Sequence, residues 1–154
     1  MNIVIIYTFL LSLSPFGEAR AGIPYAMFHG MDVSSAFFIG LFSNLLVFPI
    51  LMWLIDKGNH LLWPYRIYKK SVIRFSRMAK KGAGKNIEKY GFWGLMVFVM
   101  IPLPGTGAYM GTIAASVFNI ERKKAFWAIS LGVFISCVIM AVVSQLGKAG
   151  IEAL

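Results

Sequence analysis

Glu18 and Arg20 are the two residues of this chain that most clearly indicate chemistry. They lie within residues 14–24, a stretch with two prolines and two glycines that interrupts otherwise apolar sequence. Residues two apart point to roughly opposite sides of a helix, so the two charges cannot simply neutralise each other. A carboxylate can carry a proton, whereas a guanidinium can hold an anion such as a phosphate. At membrane depth an ionisable residue costs about 2.5–3.5 kcal/mol, and its presence there indicates a function.

The composition is that of a membrane protein. Hydrophobic residues make up 58% of the 154 residues, charged residues make up 14%, and the mean hydropathy is +0.73. Two uncharged stretches, residues 33–55 and 125–146, are each long enough to cross a hydrocarbon core of about 30 Å. We therefore expect an all-α integral membrane protein with several passes, located in the inner (cytoplasmic) membrane.

The apolar segment ahead of Glu18 is too short to span. As a helix, residues 3–13 would be about 17 Å long, roughly half of the hydrocarbon core. Ser14 suits an N-cap and Pro15 the first helical position, which predicts a break and a returning arm over 16–31. Irregular backbone at membrane depth is tolerated only inside protein or beside a water-filled cavity. The pattern predicts a re-entrant hairpin around a functional site; the alternative is a shallow hairpin with both charges among lipid headgroups.

A second interrupted helix follows later in the chain. Residues 91–103 are apolar and short, residues 102–107 break them, and residues 108–119 return. A half-helix that begins at such a break exposes backbone N–H groups and the positive end of its dipole. We therefore predict a substrate- and proton-binding site built from both breaks: Glu18, Arg20, Pro15, Pro104, Gly105, Thr106 and Gly107. The alternative for the second break is a compact turn that lets helices pack closely.

The two interrupted helices belong to an internal repeat. An offset of 89 gives seven identities in 29 positions: Phe9/Phe98, Pro15/Pro104, Ala19/Ala108, Gly22/Gly111, Ala26/Ala115, Ala36/Ala125 and Phe37/Phe126. Membrane composition raises the number of chance matches, but the offset also superposes the two breaks, which strengthens the case for a repeat.

The distribution of basic residues predicts the topology. Residues 56–89 hold ten of the fifteen basic residues, and residues 122–124 form a second basic cluster, so both should be cytoplasmic. If both hairpins re-enter, the two spans cross in opposite directions. The predicted fold is then an inverted repeat of two units, 1–55 and 90–154, each a broken re-entrant hairpin followed by one transmembrane helix. The alternative is that each short arm spans a thin membrane. The basic segment 56–89 would then still be cytoplasmic, but the repeat would no longer predict a site between two re-entrant hairpins.

The segment 56–89 also predicts a membrane-surface helix. Apolar residues recur at helical spacing over 65–79, while basic residues occupy the other faces. This pattern is typical of a basic amphipathic helix on an anionic membrane surface. We expect Arg66, Lys70, Arg74 and Arg77 to contact anionic lipid headgroups at the cytoplasmic face.

Several function classes are not expected. His29 and His60 have no partners at the spacing of zinc ligands, and the single Cys137 excludes an internal disulfide. The sequence shows no pairing of a nucleophile with a base. We therefore expect no enzyme, no metal site, no cofactor and no nucleic-acid partner.

The sequences of residues 14–24 and 102–108 resemble the small multidrug export protein family, which is similar to the wider DedA superfamily of re-entrant-loop membrane proteins. The resemblance covers nearly the whole chain and implies two inverted hairpin-plus-span units with a transport role. Proton coupling is proposed for the DedA relatives, and some are implicated in recycling polyprenyl-phosphate lipid carriers. Glu18 matches the acidic residue of their first hairpin. Residues 91–120 contain no arginine, where those relatives carry essential ones, so a shared substrate and mechanism do not follow.

Three functions remain open at this point. The leading hypothesis is a proton-linked secondary transporter or lipid flippase that moves an amphiphilic, phosphate-bearing substrate through a midplane site between the hairpins. One alternative is efflux of hydrophobic cations, with Glu18 as the counter-charge. Another is a membrane-organising protein that does not transport and binds anionic lipid through residues 65–81. Expected partners are membrane lipids, the substrate and protons, and so few spans are compatible with a homodimer.

Overall fold

The computed structural model describes residues 2–62, 66, 70, 71, 73, 74, 77, 78, 81, 87, 89–103 and 106–152. Within these residues the chain forms six helices and no strand, in agreement with the all-α prediction. The helices are α1 (Asn2–Leu13), α2 (Glu18–Phe28), α3 (Val33–Leu62), α4 (Phe92–Met100), α5 (Ala108–Val117) and α6 (Arg122–Glu152).

The two long helices, α3 and α6, are antiparallel neighbours. Each contains a stretch apolar and long enough to cross a membrane, Val33–Gly58 in α3 and Arg122–Gly150 in α6. Three side-chain contacts join them: Phe37 with Phe134 (ring centroids 5.8 Å apart), Phe48 with Phe126 (5.7 Å) and Asp56 with Arg122 (N–O distance 2.9 Å). Residue numbers rise along one helix as they fall along the other. The C-terminal part of α3 therefore lies beside the start of α6.

The four short helices form two pairs, and each of these helices is about half as long as a hydrocarbon core is thick. At about 1.5 Å per residue, the 12 residues of α1 extend about 18 Å and the 9 residues of α4 about 14 Å. The first pair, α1 and α2, packs against α3, and α2 also packs against α6. The second pair, α4 and α5, packs against α6, and α5 also contacts α3. The long helices thus support both short pairs.

The first break differs from the predicted one in where the next helix begins. Helix α2 begins at Glu18, three residues after Pro15, the predicted start. Ser14 O instead accepts the N–H groups of Gly17 (3.3 Å) and Glu18 (3.0 Å), which makes residues 14–17 a tight turn. Proline is equally suited to the second position of such a turn, because its φ is fixed near −65°. In this structure Pro15 takes the second position of a turn and not the first position of a helix.

The ends of α2 and α5 share one backbone geometry at the repeat offset of 89. His29 and Phe118 have similar dihedral angles (φ −94°, ψ 20° and φ −92°, ψ 7°), and Gly30 and Asn119 follow with positive φ. Met31 then donates to Ala26 O (3.0 Å), as Ile120 donates to Ala115 O (2.9 Å). The next helices, α3 and α6, begin at equivalent positions. Both half-length pairs therefore end in the same type of helix C-cap, with one residue in the left-handed region.

Small side chains form much of the core. Six alanines from three repeat pairs are at most 2% exposed: Ala19, Ala26, Ala36, Ala108, Ala115 and Ala125. Large apolar side chains such as Phe38, Trp53, Trp127 and Leu146 lie on the outside, each at least 60% exposed. This distribution suits a protein surrounded by lipid, in which small residues let the helix backbones approach closely.

The segment between α3 and α4 is described only in part. Helix α3 extends to Leu62, beyond the end at residue 55 that hydropathy predicted. Most of the amphipathic helix predicted over 65–81 lies outside the described residues, and the division into units 1–55, 56–89 and 90–154 stays a prediction.

Candidate functional site between the two breaks

The two breaks lie side by side and enclose a cleft of about 300 Å³. Its lining includes Pro15, Glu18 and Arg20 from the first break and its helix, and Pro102, Thr106 and Tyr109 from the second. Four of the predicted site residues, Pro15, Glu18, Arg20 and Thr106, are therefore brought together. Gly107 lies beside them, whereas Pro104 and Gly105 are outside the described residues.

The carboxylate of Glu18 lies at the start of α5. Glu18 is only 5% exposed, and its Oε1 accepts the backbone N–H of Tyr109 at 3.3 Å. The first N–H groups of a helix have no partner within the helix, and they carry the positive end of its dipole. Glu18 thus supplies from the first hairpin the negative cap that α5 lacks, since no side chain of its own break caps it.

Gly107 allows this close approach. Its φ is +100°, and a Cβ at this position would overlap Glu18 Oε2 and lie 2.7 Å from Glu18 Cδ. Both the backbone conformation and the space exclude a side chain here. Glycine at this position has a structural cause, since the carboxylate of Glu18 fills the volume that a side chain would need, while the predicted role of Gly107 in binding stays a prediction.

The guanidinium of Arg20 lies at the opposite side of the second break, at the end of α4. Its Nη2 donates to Ile101 O at 3.0 Å and to Val99 O at 3.3 Å, and its Nη1 donates to Leu103 O. The last carbonyls of a helix lack partners within the helix and carry the negative end of its dipole. Arg20 therefore satisfies the carbonyl end of α4, and its planar fork suits several acceptors at once.

The hydroxyl of Thr106 points to the same carbonyls. Its Oγ1 lies 2.7 Å from Ile101 O and 2.8 Å from Leu103 O, so it can donate to either. Thr106 lines the cleft, as the sequence predicted. Its hydroxyl, however, donates to a carbonyl of its own break. Together with Arg20 it holds the carbonyls of Ile101 and Leu103.

Tyr109 is a site residue that sequence reasoning missed. Its hydroxyl donates to Leu13 O at the end of α1, while its backbone N–H donates to Glu18. A tyrosine in an apolar helix carries no signal by itself. The repeat offers one, because Tyr109 lies 89 residues after Arg20 and so occupies the equivalent position.

Glu18 and Arg20 form no ion pair with each other within 4 Å. As their spacing predicted, each has separate partners: the start of α5 for the carboxylate and the end of α4 for the guanidinium. Cys137, at the middle of α6 and fully buried, lies near both charges. The cleft is therefore level with the middle of a long apolar helix. It holds an acid that can gain or lose a proton and a base that stays charged.

The other predicted contact residues lie apart from this cleft. Arg66, Lys70, Arg74 and Arg77 are exposed and line a separate open depression with Ile73 and Met78. Among the described residues no group of three histidine, cysteine or acidic side chains could hold a metal ion.

The chain matches the model of a known protein family. The family described as "Putative small multi-drug export protein" matches residues 18–139, which is most of the chain. The match includes helices α2 to α5, the second break and the first part of α6. No curated protein and no solved structure matches the chain. The match supports the small multidrug export family inferred from the motifs; a relationship to the DedA superfamily stays a prediction.

Proposed function

Because this chain belongs to the small multi-drug export protein family and carries two apolar helices long enough to cross a membrane, we propose that it is a membrane transport protein whose substrate passes through the cleft between the two breaks. The substrate is an amphiphile, and its movement is linked to protons through Glu18. The inner membrane is the proposed location.

The buried carboxyl group of Glu18 is the observation that carries this proposal. It faces a cleft between two interrupted helices, and it is held by the start of α5 and not by an opposite charge. Ionisable residues inside membrane proteins generally mark pathways for substrates, ions or protons. Interrupted helices whose ends converge on such a residue are typical of secondary transporters.

The arrangement of the helices supports an inverted repeat with its site at the membrane midplane. Helices α3 and α6 are antiparallel, and the cleft is level with Cys137 at the middle of α6. The end of α2 approaches the far end of α6, where a Cβ on Gly147 would lie 3.9 Å from Phe28 Cζ. The end of α5, in contrast, leads directly into the start of α6. In this proposal the two half-length pairs enter from opposite membrane faces and meet at their breaks.

The accessibility of the two charges favours an anionic headgroup. Arg20 is partly exposed, whereas Glu18 is almost completely buried. The Nε–H of Arg20 is buried and has no hydrogen-bond partner among the described residues, so an oxygen of a bound phosphate would reach this donor only when the cleft opens. We therefore propose a phosphate-bearing amphiphile as the substrate and Glu18 as the proton carrier. The basic side chains of Arg66, Lys70, Arg74 and Arg77 would hold anionic lipid at the cytoplasmic face.

Transport by the purified protein in liposomes tests this function. Wild-type protein should move a fluorescent polyprenyl phosphate faster under a pH gradient, and Glu18→Gln should abolish the effect of pH because it keeps the shape and removes the titration. Glu121→Gln, at an exposed position outside the cleft, is the matched control and should behave as wild type. Full pH-dependent transport by Glu18→Gln would refute the proposed role of Glu18. If the protein transports lipophilic cations but no polyprenyl phosphate, the proposal of a phosphate-bearing substrate is refuted. If it transports neither compound, a membrane-organising protein is favoured.

A further inference from the structure

Tyr109 lines the cleft and joins the second hairpin to the end of α1 and to Glu18. Its hydroxyl donates to Leu13 O, the last residue of α1, and its N–H donates to Glu18 at the start of α2. Tyr109 itself lies in the first turn of α5. One side chain and its backbone therefore hold the end of α1 and the acid of the site in fixed positions relative to the second hairpin.

The two helix ends beside the breaks, those of α1 and α4, are held unequally. The end of α4 is fixed by Arg20 through three carbonyls and again by Thr106, whereas one hydroxyl, that of Tyr109, reaches the end of α1. Four of the nine residues of α4 are buried, namely Gly94, Leu95, Phe98 and Val99. Two of the twelve residues of α1 are buried, namely Thr8 and Ser12. In hydrogen bonds and in buried residues, the end of α1 is therefore held less firmly than the end of α4, while the rest of α1 packs against α2 and α3.

We propose that Tyr109 is a positioning residue that latches the end of α1, and with it the first break that lines the cleft, and that the cleft opens when the Tyr109–Leu13 hydrogen bond breaks. The latch depends on the proposed transport function for its purpose, since it decides when Glu18 meets water and substrate. Opening on this side exposes Glu18 while Arg20 continues to hold the end of α4. The outer face of α1 is apolar and exposed at Ile3, Ile6 and Leu10, so the moving helix slides against lipid.

Chemical labelling of Glu18 tests the latch without measuring transport. A hydrophobic carbodiimide adds to protonated carboxyl groups, and mass spectrometry of the full-length protein in detergent measures the rate at Glu18. Tyr109→Phe removes the hydroxyl and keeps the ring, and the loss of one neutral hydrogen bond should raise the open fraction, and so the labelling rate, by about 2- to 12-fold. Tyr25→Phe is the matched control, because the Tyr25 ring stacks on His29 and its hydroxyl makes no hydrogen bond within the described residues. An unchanged rate in Tyr109→Phe, or an equal rise in Tyr25→Phe, would overturn the proposal.

Hydrogen exchange supplies a second readout that a general loss of stability would not reproduce. In Tyr109→Phe the amides near the end of α1 should exchange faster, while those near Ile101 and Leu103 should keep the wild-type rate. Faster exchange at both ends alike would indicate a destabilised protein and would refute a latch on the α1 side.

The latch and the transport function fail in different ways. If Tyr109→Phe speeds labelling of Glu18 but no substrate is ever moved, the latch stands and the transport proposal falls. If Glu18→Gln abolishes pH-dependent transport but Tyr109→Phe leaves labelling and exchange unchanged, the transport proposal stands and the latch falls.

Discussion

Arg20 and Tyr109 lie 89 residues apart, and each donates hydrogen bonds to the backbone carbonyls that end the first helix of the other hairpin. Arg20 of the first hairpin holds the end of α4, and Tyr109 of the second holds the end of α1. Backbone carbonyls at a helix end that water does not reach need such partners, because an unsatisfied carbonyl costs free energy comparable to a lost hydrogen bond. The two hairpins therefore complete each other, and neither break is satisfied by its own residues alone.

Arg20→Lys should destabilise the protein even though the charge is kept. A lysine cannot bind three carbonyls with a planar fork, so we expect a loss of about 1–3 kcal/mol in the free energy of unfolding. Thermal unfolding in detergent measures it. Arg122→Lys is the control, because Arg122 is exposed and pairs with exposed Asp56, and it should change stability by less than about 1 kcal/mol. Equal effects of the two substitutions would contradict the role of Arg20 at the end of α4.

Gly107→Ala should be costly, and part of the cost should depend on Glu18. The positive φ alone should cost about 1–3 kcal/mol, and the overlap with the carboxylate should add about 1–3 kcal/mol. Gly91→Ala is the control for backbone strain, since Gly91 also has a positive φ but no described atom lies within 4 Å of a Cβ there. A double-mutant cycle with Glu18→Ala should recover about 0.5–3 kcal/mol. Strict additivity of the two substitutions would show that they do not touch.

Asp32 should give the start of α3 a stability that depends on pH. The backbone N–H of Ser35 donates to Asp32 Oδ2 at 2.8 Å. This hydrogen bond, together with one from the Ser35 hydroxyl, lowers the pKa of Asp32 below its ordinary value. A group with a lowered folded-state pKa stabilises the fold above its unfolded pKa, and this stabilisation disappears as the pH falls through the folded pKa. Asp32→Ala should therefore melt a few degrees below wild type at pH 7, and the gap should narrow as the pH falls below about 4. Asp32→Asn, which keeps a capping oxygen without a charge, should show little of this pH dependence. A gap that stays constant down to pH 2 would contradict the expectation.

The ion pair between Asp56 and Arg122 joins the two long helices at one end, so both basic clusters should lie on one side of the membrane. Basic clusters beside spans favour the cytoplasm. Reporter fusions after Lys85 and after Leu154 should therefore report opposite sides, with Lys85 inside. Finding both on the same side would exclude the inverted repeat.

The basic segment should bind anionic lipid through charge. Arg66, Lys70, Arg74 and Arg77 are all exposed, and each basic residue near an anionic surface contributes about 1 kcal/mol. Replacing all four with glutamine should weaken the binding of the full-length protein in detergent to anionic lipid nanodiscs, most strongly at low salt. Equal binding of wild type to neutral and anionic nanodiscs would rule out the charge mechanism.

The helices and both breaks could be predicted from the sequence, but their partners could not. Apolar runs interrupted near Pro15 and Pro102, together with the offset of 89, locate the short helices because hydropathy and proline act locally. The beginning of α2 at Glu18 depends on whether Pro15 joins a helix or a turn, and both suit proline. The partners of Arg20 are carbonyls about 80 residues away, and the sequence does not encode backbone carbonyls as a pattern. Tyr109 was missed for the same reason.

Glu18 and Gly107 occupy equivalent places in the two halves of the chain, and they face each other directly. Two identical halves would each bring a glutamate to this position, and the second carboxylate would fall on the space that the first one fills. Two glycines would leave the centre without an acid. A single acidic group at the centre therefore requires halves that differ. Joining both halves in one polypeptide guarantees that unlike halves always meet, so no mispaired assembly with two acids or none can form within the chain.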